Sequence, residues 1–358
     1  MKRSHYLLIS FALTFIIGII LYRSVPDWQQ AGSVMISGKP QWFLGGILLI
    51  AVHMILRAIR WGVLLRPTKK KIPFKNLFSL TLVKYVINII PPRVGEVAGS
   101  VLLARKESIP ATSVIASSLF ERILDLLAVL VLFSFYLFFF AGFHVPTSES
   151  GREIFETIRA STIAGFAFTT LVFIVLILVL RSRRWHDRIP KIIQKHVLSF
   201  LNGLRAMQSR SATAQTLLLS LLIWLSIGAQ LWFFIRAYLD TFPVTGVLLI
   251  LAVTVVGVAI PTPGGVGGFQ FFMNLSLIHF FEPYLSAGDP VSQAAGISNG
   301  AYIVSMGPVI LVGLVLLHRE GLSLGRAAEL TADQRENSYS ELLPSEETSP
   351  SKVADLPD

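Results

Sequence analysis

The chain has 358 residues, 53% of them hydrophobic and 15% charged, with a formal net charge of +10. A mean hydropathy of +0.66 excludes an ordinary soluble domain, whose charged share is about 25%. The absence of cysteine excludes disulfides, thiolate metal sites and cysteine nucleophiles.

Lys2 and Arg3 precede a first apolar run, His5 to Tyr22. It is too long for a signal-peptide core, and the RSVPDW that follows holds no small-x-small cleavage site, so it reads as a first span. Further spans are predicted at Trp42 to Leu65, Thr112 to Phe143, Ser161 to Leu180, Ala214 to Tyr238 and Gly296 to His318. Crossing a hydrocarbon layer of ~30 Å takes ~20 such residues. Two apolar stretches fit none of these spans. One runs from Phe74 to Ala104 and is broken at Pro91-Pro92; the other runs from Val244 to Phe281 and is broken at PTPGGVGG, Pro261 to Gly268. Proline inside a helix costs about 3 kcal/mol or more, so each stretch predicts two half-helices around a turn. Broken backbone at membrane depth is tolerated only inside protein or beside a watery cavity.

Charge bias sets the sidedness. Lys2-Arg3, the loop RPTKKKIPFK (Arg66 to Lys75), Arg105-Lys106, the loop RSRRWHDRIPKIIQK (Arg181 to Lys195) and His318-Arg319 are all basic, as cytoplasmic segments are. The loops DTFP and EPYLSAGDP, which flank the second broken stretch, carry no Lys or Arg. The first hairpin is therefore expected to enter from the cytoplasmic face and the second from the outer face; full-spanning pairs of very short helices are the alternative with the same sidedness. The expected fold is an all-α integral membrane protein of about six full transmembrane helices plus two re-entrant helical hairpins in an inverted-topology repeat. The membrane domain covers 1–318, with halves at 42–143 and 214–318. Both termini face the cytoplasm in a cell (inner) membrane. Ile189 to Met207 reads as a surface helix or a linker helix. Residues 319–358 are polar and aperiodic and are expected to be disordered.

Charged residues inside the apolar runs are the candidate site. Arg57 and Arg60 are three apart on one helix face, and Glu121, Arg122 and Asp125 share the next full span. Ionisable groups at membrane depth are costly and call for partners, here a bound anion or a structural ion network, with snorkelling to the interface as a further option for the arginines. Lys84 and Arg93 are available cations. Arg93, Gly95 and Glu96 stand at the first break, where a restarting helix offers free N–H groups and a positive dipole end. Such an end beside a guanidinium suits a phosphate. At the second break, Pro263, Gly264, Gly265 and Gly267 permit close backbone approach or tight helix packing. No Walker loop is present. The cavity so drawn suits an anionic head on an apolar body, a phospholipid or a polyprenyl phosphate. No metal, cofactor or nucleic acid is expected.

PPRVGEVAGSVLLARKE, then SLFERILDLLAVLVL, then PTPGGVGGFQ, in that order, resemble the flippase-like family whose best-known members are the transmembrane flippase regions of lysylphosphatidylglycerol synthases. The likeness covers roughly residues 5 to 318 and implies an all-helical membrane domain that handles lipid, with Arg93, Gly95, Glu96, Glu121, Arg122, Asp125, Pro263, Gly264, Gly265 and Gly267 at its motif positions. Similar sequences often carry an arginine where Gly99-Ser100 stands here, and a glutamate where this chain has Gln270. Synthases also carry a large soluble aminoacyl-transferase domain. About 40 residues follow the last span here, against 50 or more in most domains, so lipid movement is expected rather than lysyl transfer. Two other functions stay open: a membrane-embedded lipid-modifying transferase using Glu96, Glu121 or Asp125, and a non-transporting partner of a separate lipid synthase. A homo-oligomer is a further possibility.

Overall fold

The computed structural model describes residues 3–89, 94–140, 210–285 and 288–321, with isolated positions between 152 and 167. The fourth expected span, the 189–207 segment and the expected disordered tail beyond residue 321 lie outside the described residues, as does Arg93.

Ten helices and two short 3-10 turns make up the described chain, and no strand occurs among those residues. Helix α1 (Arg3–Ser24) bends by 100° into α2 (Trp28–Ile36). Asp27 starts α2 as its N-cap, its carboxylate accepting from the backbone N–H groups of Gln29 and Gln30 at 2.8 and 2.9 Å. Helix α3 (Pro40–Leu65) opens with proline at its first turn, where the missing N–H leaves nothing unpaired. The first hairpin is α4 (Phe74–Ile87) and α5 (Val94–Glu107), followed by α6 (Ala111–Phe139). After the undescribed segment come α7 (Arg210–Arg236), the second hairpin of α8 (Gly246–Ala259) and α9 (Gly268–Phe280), and α10 (Pro290–Arg319). Four of these, α3, α6, α7 and α10, are long and apolar enough to cross a membrane, and the bent α1–α2 pair makes a fifth candidate.

Hairpin arms of 13 or 14 residues extend about 20 Å at 1.5 Å per residue, short of a ~30 Å hydrocarbon core. Glycine closes both hairpins. A Cβ on Gly95 would lie 2.1 Å from the Lys84 carbonyl oxygen, and one on Gly257 would lie 2.2 Å from that of Gly268. In the turn between α8 and α9, Gly264, Gly265 and Gly267 have φ of 62°, 78° and 86°, a region that side chains rarely tolerate.

Each hairpin is held between both halves of the chain. Its first arm packs on the final helix of the other half, α4 on α10 and α8 on α6, and its second arm packs on the helix that follows it. The halves meet most extensively along α3 and α7. There the rings of Phe233 and Phe234 lie over Gly45 and Gly46, positions where any Cβ would collide with them.

Both mouths of the first hairpin sit at one end of the bundle. Lys69, just before α4, pairs with Glu107 at the end of α5 at 2.6 Å; Lys106 pairs with Glu320, beyond α10, at 2.6 Å. Burial would push the Glu107 carboxyl up, but hydrogen bonds from Lys69 and Asn76 hold it below the usual range. At the other end Lys39 pairs with Asp240, and Gln30 meets the backbone of Asp289. Those contacts join the start of α3 to the entry of the second hairpin, and α2 to the start of α10.

Candidate functional site

Five helices converge on a buried ionic cluster. Arg57 and Arg60 project from α3, Lys84 from α4, Glu96 from α5, and Glu121, Arg122 and Asp125 from α6, with α7 closing the far side. Arg60 is fully buried, and Arg57, Lys84, Glu121 and Asp125 are at most 6% exposed. Burying an ion costs several kcal/mol unless it is paired, so the pairing explains how these groups stay inside.

Asp125 is the hub. Its Oδ2 accepts from Arg57 Nη1 at 3.1 Å; its Oδ1 accepts from Arg60 Nη1 at 2.8 Å and from Trp224 Nε1 of α7 at 3.1 Å. Arg122 Nη1 approaches Oδ2 at 3.4 Å. Arg60 Nη1 also donates to Ser220 Oγ of α7 at 2.9 Å. Glu121 lies between Arg60 Nε at 3.4 Å and Lys84 Nζ at 3.9 Å. Lys84 donates to Ser118 Oγ at 2.8 Å and stands 3.4 Å above the Trp61 ring, a cation–π seat. Glu96 spans from Lys84, at 3.8 Å, to Arg122 Nη2, at 3.5 Å.

Four cations thus face three carboxylates among the described residues, an excess of one positive charge. Donors are in excess as well. Arg57 Nε and Arg60 Nε and Nη2 are buried without a hydrogen-bond acceptor among the described residues, against one buried acceptor of the cluster, Glu96 Oε2, without a donor. The cluster opens into a cleft lined by Arg57, Lys84, Tyr85, Glu96 and Arg122 whose free volume, about 10 Å³, is near the minimum for one water. The basic cavity expected from the sequence is therefore shut in this conformation. Glu96 and Arg122 are the exceptions to the burial, with 25% and 47% of their side chains exposed.

Of the residues singled out in the sequence, Arg57, Arg60, Glu96, Glu121, Arg122 and Asp125 come together here. Gly95 sits beside them; its N–H donates to Asn88 Oδ1 at 2.7 Å, so that helix-start donor is already occupied. The second break lies elsewhere. Pro263, Gly264 and Gly265 form a 3-10 turn whose Gly264 carbonyl accepts from Tyr302 of α10 at 2.8 Å, and Gly267 faces α1. No hydrogen bond or ion pair among the described residues joins that turn to the ionic cluster. Sequence reasoning named Lys84 only as an available cation and missed Trp61, Ser118, Ser220 and Trp224. A lysine three turns into an apolar helix is signal enough for Lys84. The α7 pair shows only a four-residue spacing, which any helix face gives.

The family model described as lysylphosphatidylglycerol synthase TM region matches residues 7–313. A curated relative, the UPF0104 membrane protein MJ1595 of Methanocaldococcus jannaschii, is 26% identical over 345 residues, covering 89% of this chain and 96% of the relative. No solved structure matches.

Proposed function

Because the chain belongs to the lysylphosphatidylglycerol synthase TM region family, we propose that this multi-pass membrane protein carries an anionic lipid, a phospholipid or a polyprenyl phosphate, between the leaflets of a cell membrane. One observation carries the reading: a buried cluster that holds more guanidinium donors than acceptors, with a single arginine, Arg122, left at its rim. Planar guanidinium groups bind phosphate through paired hydrogen bonds, so an incoming headgroup takes up donors that the cluster leaves unused while Glu96 and Asp125 keep their partners. Arg122 meets the phosphate first. Arg57 and Arg60 then supply the donors that lack acceptors in the shut conformation.

The two hairpins are read as re-entrant, entering from opposite faces, and the halves as an inverted repeat. Arms of about 20 Å, mouths at opposite ends of the bundle and the reciprocal packing of each first arm support that reading. Lys84 and Glu96 stand on the two arms of the first hairpin, so a shift of this hairpin on α6 opens the cleft by parting Glu96 from Arg122. The cytoplasmic placement of both termini follows from the basic loops.

Reconstitution tests the proposal. Vesicles holding the purified chain and a fluorescent phosphatidylglycerol should show lipid crossing without chemical change. Arg122→Gln should slow crossing by about tenfold or more, the effect of losing a charge-assisted bond worth about 1.5–3 kcal/mol. A chemically altered lipid would replace transport with a transferase, and vesicles inert until a synthase is added would replace it with an accessory role.

A further inference from the structure

A second cavity, of about 210 Å³, lies between α1, α9 and α10, against the second break. No charged side chain lines it. Gln270 and Asn274, both 6% exposed, face it one helical turn apart on α9. Gln270 Oε1 accepts from the Gly267 N–H at 2.8 Å. A backbone N–H only donates, so the carboxamide orientation is fixed and Nε2 is left without a partner among the described residues. Asn274 Oδ1 lies 2.7 Å from Ser298 Oγ, whose single proton is shared with the Ala295 carbonyl at 3.1 Å, so one end of this carboxamide meets Ser298 and the other faces the cavity. Across the cavity, Asn299 donates Nδ2 to the Ala295 carbonyl at 2.8 Å and keeps its Oδ1 as an acceptor. Trp28, stacked on Tyr22 at 5.7 Å, contributes an aromatic wall.

Amide groups of these buried side chains face the cavity without a partner among the described residues, so an occupant of the cavity is set to supply oxygen atoms to them. An isolated ion is excluded, because nothing there neutralises it. Hydroxyl groups both donate and accept, matching the Gln270 nitrogen, the free end of the Asn274 carboxamide and the Asn299 oxygen. We propose that this cavity receives the uncharged polyol part of a lipid headgroup, a glycerol or a cyclitol. The inference rests on the reading of the chain as a lipid carrier. It assigns the second half a step that distinguishes headgroups, at a place separate from the ionic cluster.

The test is a competition among three lipids with identical acyl chains: phosphatidic acid, phosphatidylglycerol and phosphatidylinositol. Binding to the purified full chain is read by native mass spectrometry. At least one polyol lipid should outbind phosphatidic acid by about fivefold or more, and the preferred one identifies the polyol. Gly18 lines the same cavity, and a Cβ there meets nothing within 4 Å, so Gly18→Leu fills the space without disturbing either carboxamide. This variant, and independently Asn274→Leu, should bring the ratio close to one, and Gly18→Leu should keep the original thermal midpoint. Equal binding of all three lipids by the unsubstituted chain overturns the assignment, as does a ratio unchanged in both variants. A retained ratio without lipid crossing counts against transport alone and leaves the cavity's role intact.

Discussion

Asp125 touches three arginines and a tryptophan from three helices, and no other carboxylate in the cluster has as many partners. Asp125→Asn removes its charge while Arg57 and Arg60 stay buried, and breaking a buried pair in this way costs about 3–5 kcal/mol. Arg122 is half exposed, so Arg122→Gln should cost about 0–1 kcal/mol even though it slows transport. Thermal unfolding in one detergent checks the pair; equal losses would show that the cluster is not the support described. The cluster's acidic and basic members were legible in the sequence because charge inside an apolar run is costly enough to need a reason. The alternatives of bound anion and structural network were not separable there; the structure shows paired ions and, beside them, guanidinium donors left over. Trp224 was not legible, since its role depends on α7 returning beside α6 from 99 residues away.

The hairpins show what backbone chemistry fixes at the level of single elements. Pro91-Pro92 and PTPGGVGG announced both breaks, and the helices restart at Val94 and Gly268 as those signals imply. Helix α2 was not anticipated: RSVPDW was read only as a flank, although Asp27 ahead of a short helical stretch is an N-cap signal. The contact that closes the second hairpin is backbone on backbone, so it has little room to give. Gly257→Ala should destabilise the protein by about 1–3 kcal/mol through overpacking. Gly32→Ala, in α2 with nothing within 4 Å of its Cβ, should be neutral or slightly stabilising. Comparing the two by thermal unfolding separates a closed hairpin from a general intolerance of helix substitution.

For the molecule as a whole, sidedness is the quantity to measure. The chain has no cysteine, so single cysteines report cleanly. Cysteines at Lys70 and Arg105, which bracket the first hairpin, should react with an impermeant reagent from the same face of sealed vesicles, and one at Asp240 from the other face. Labelling of Lys70 and Arg105 from different faces would turn the first hairpin into a crossing. The expected sidedness rests on the basic loops. The packing of each hairpin on the far half was not readable, because hydropathy marks which residues avoid water and not which helix they will meet.

That reciprocal packing also has a bearing on how the protein is made. The first arm of each hairpin finishes its burial only against the last helix of the opposite half. During synthesis α4 must therefore wait for α10, some two hundred residues later, before its partner surface exists. A chain encoding the first half alone would lack the surface that α10 supplies to α4.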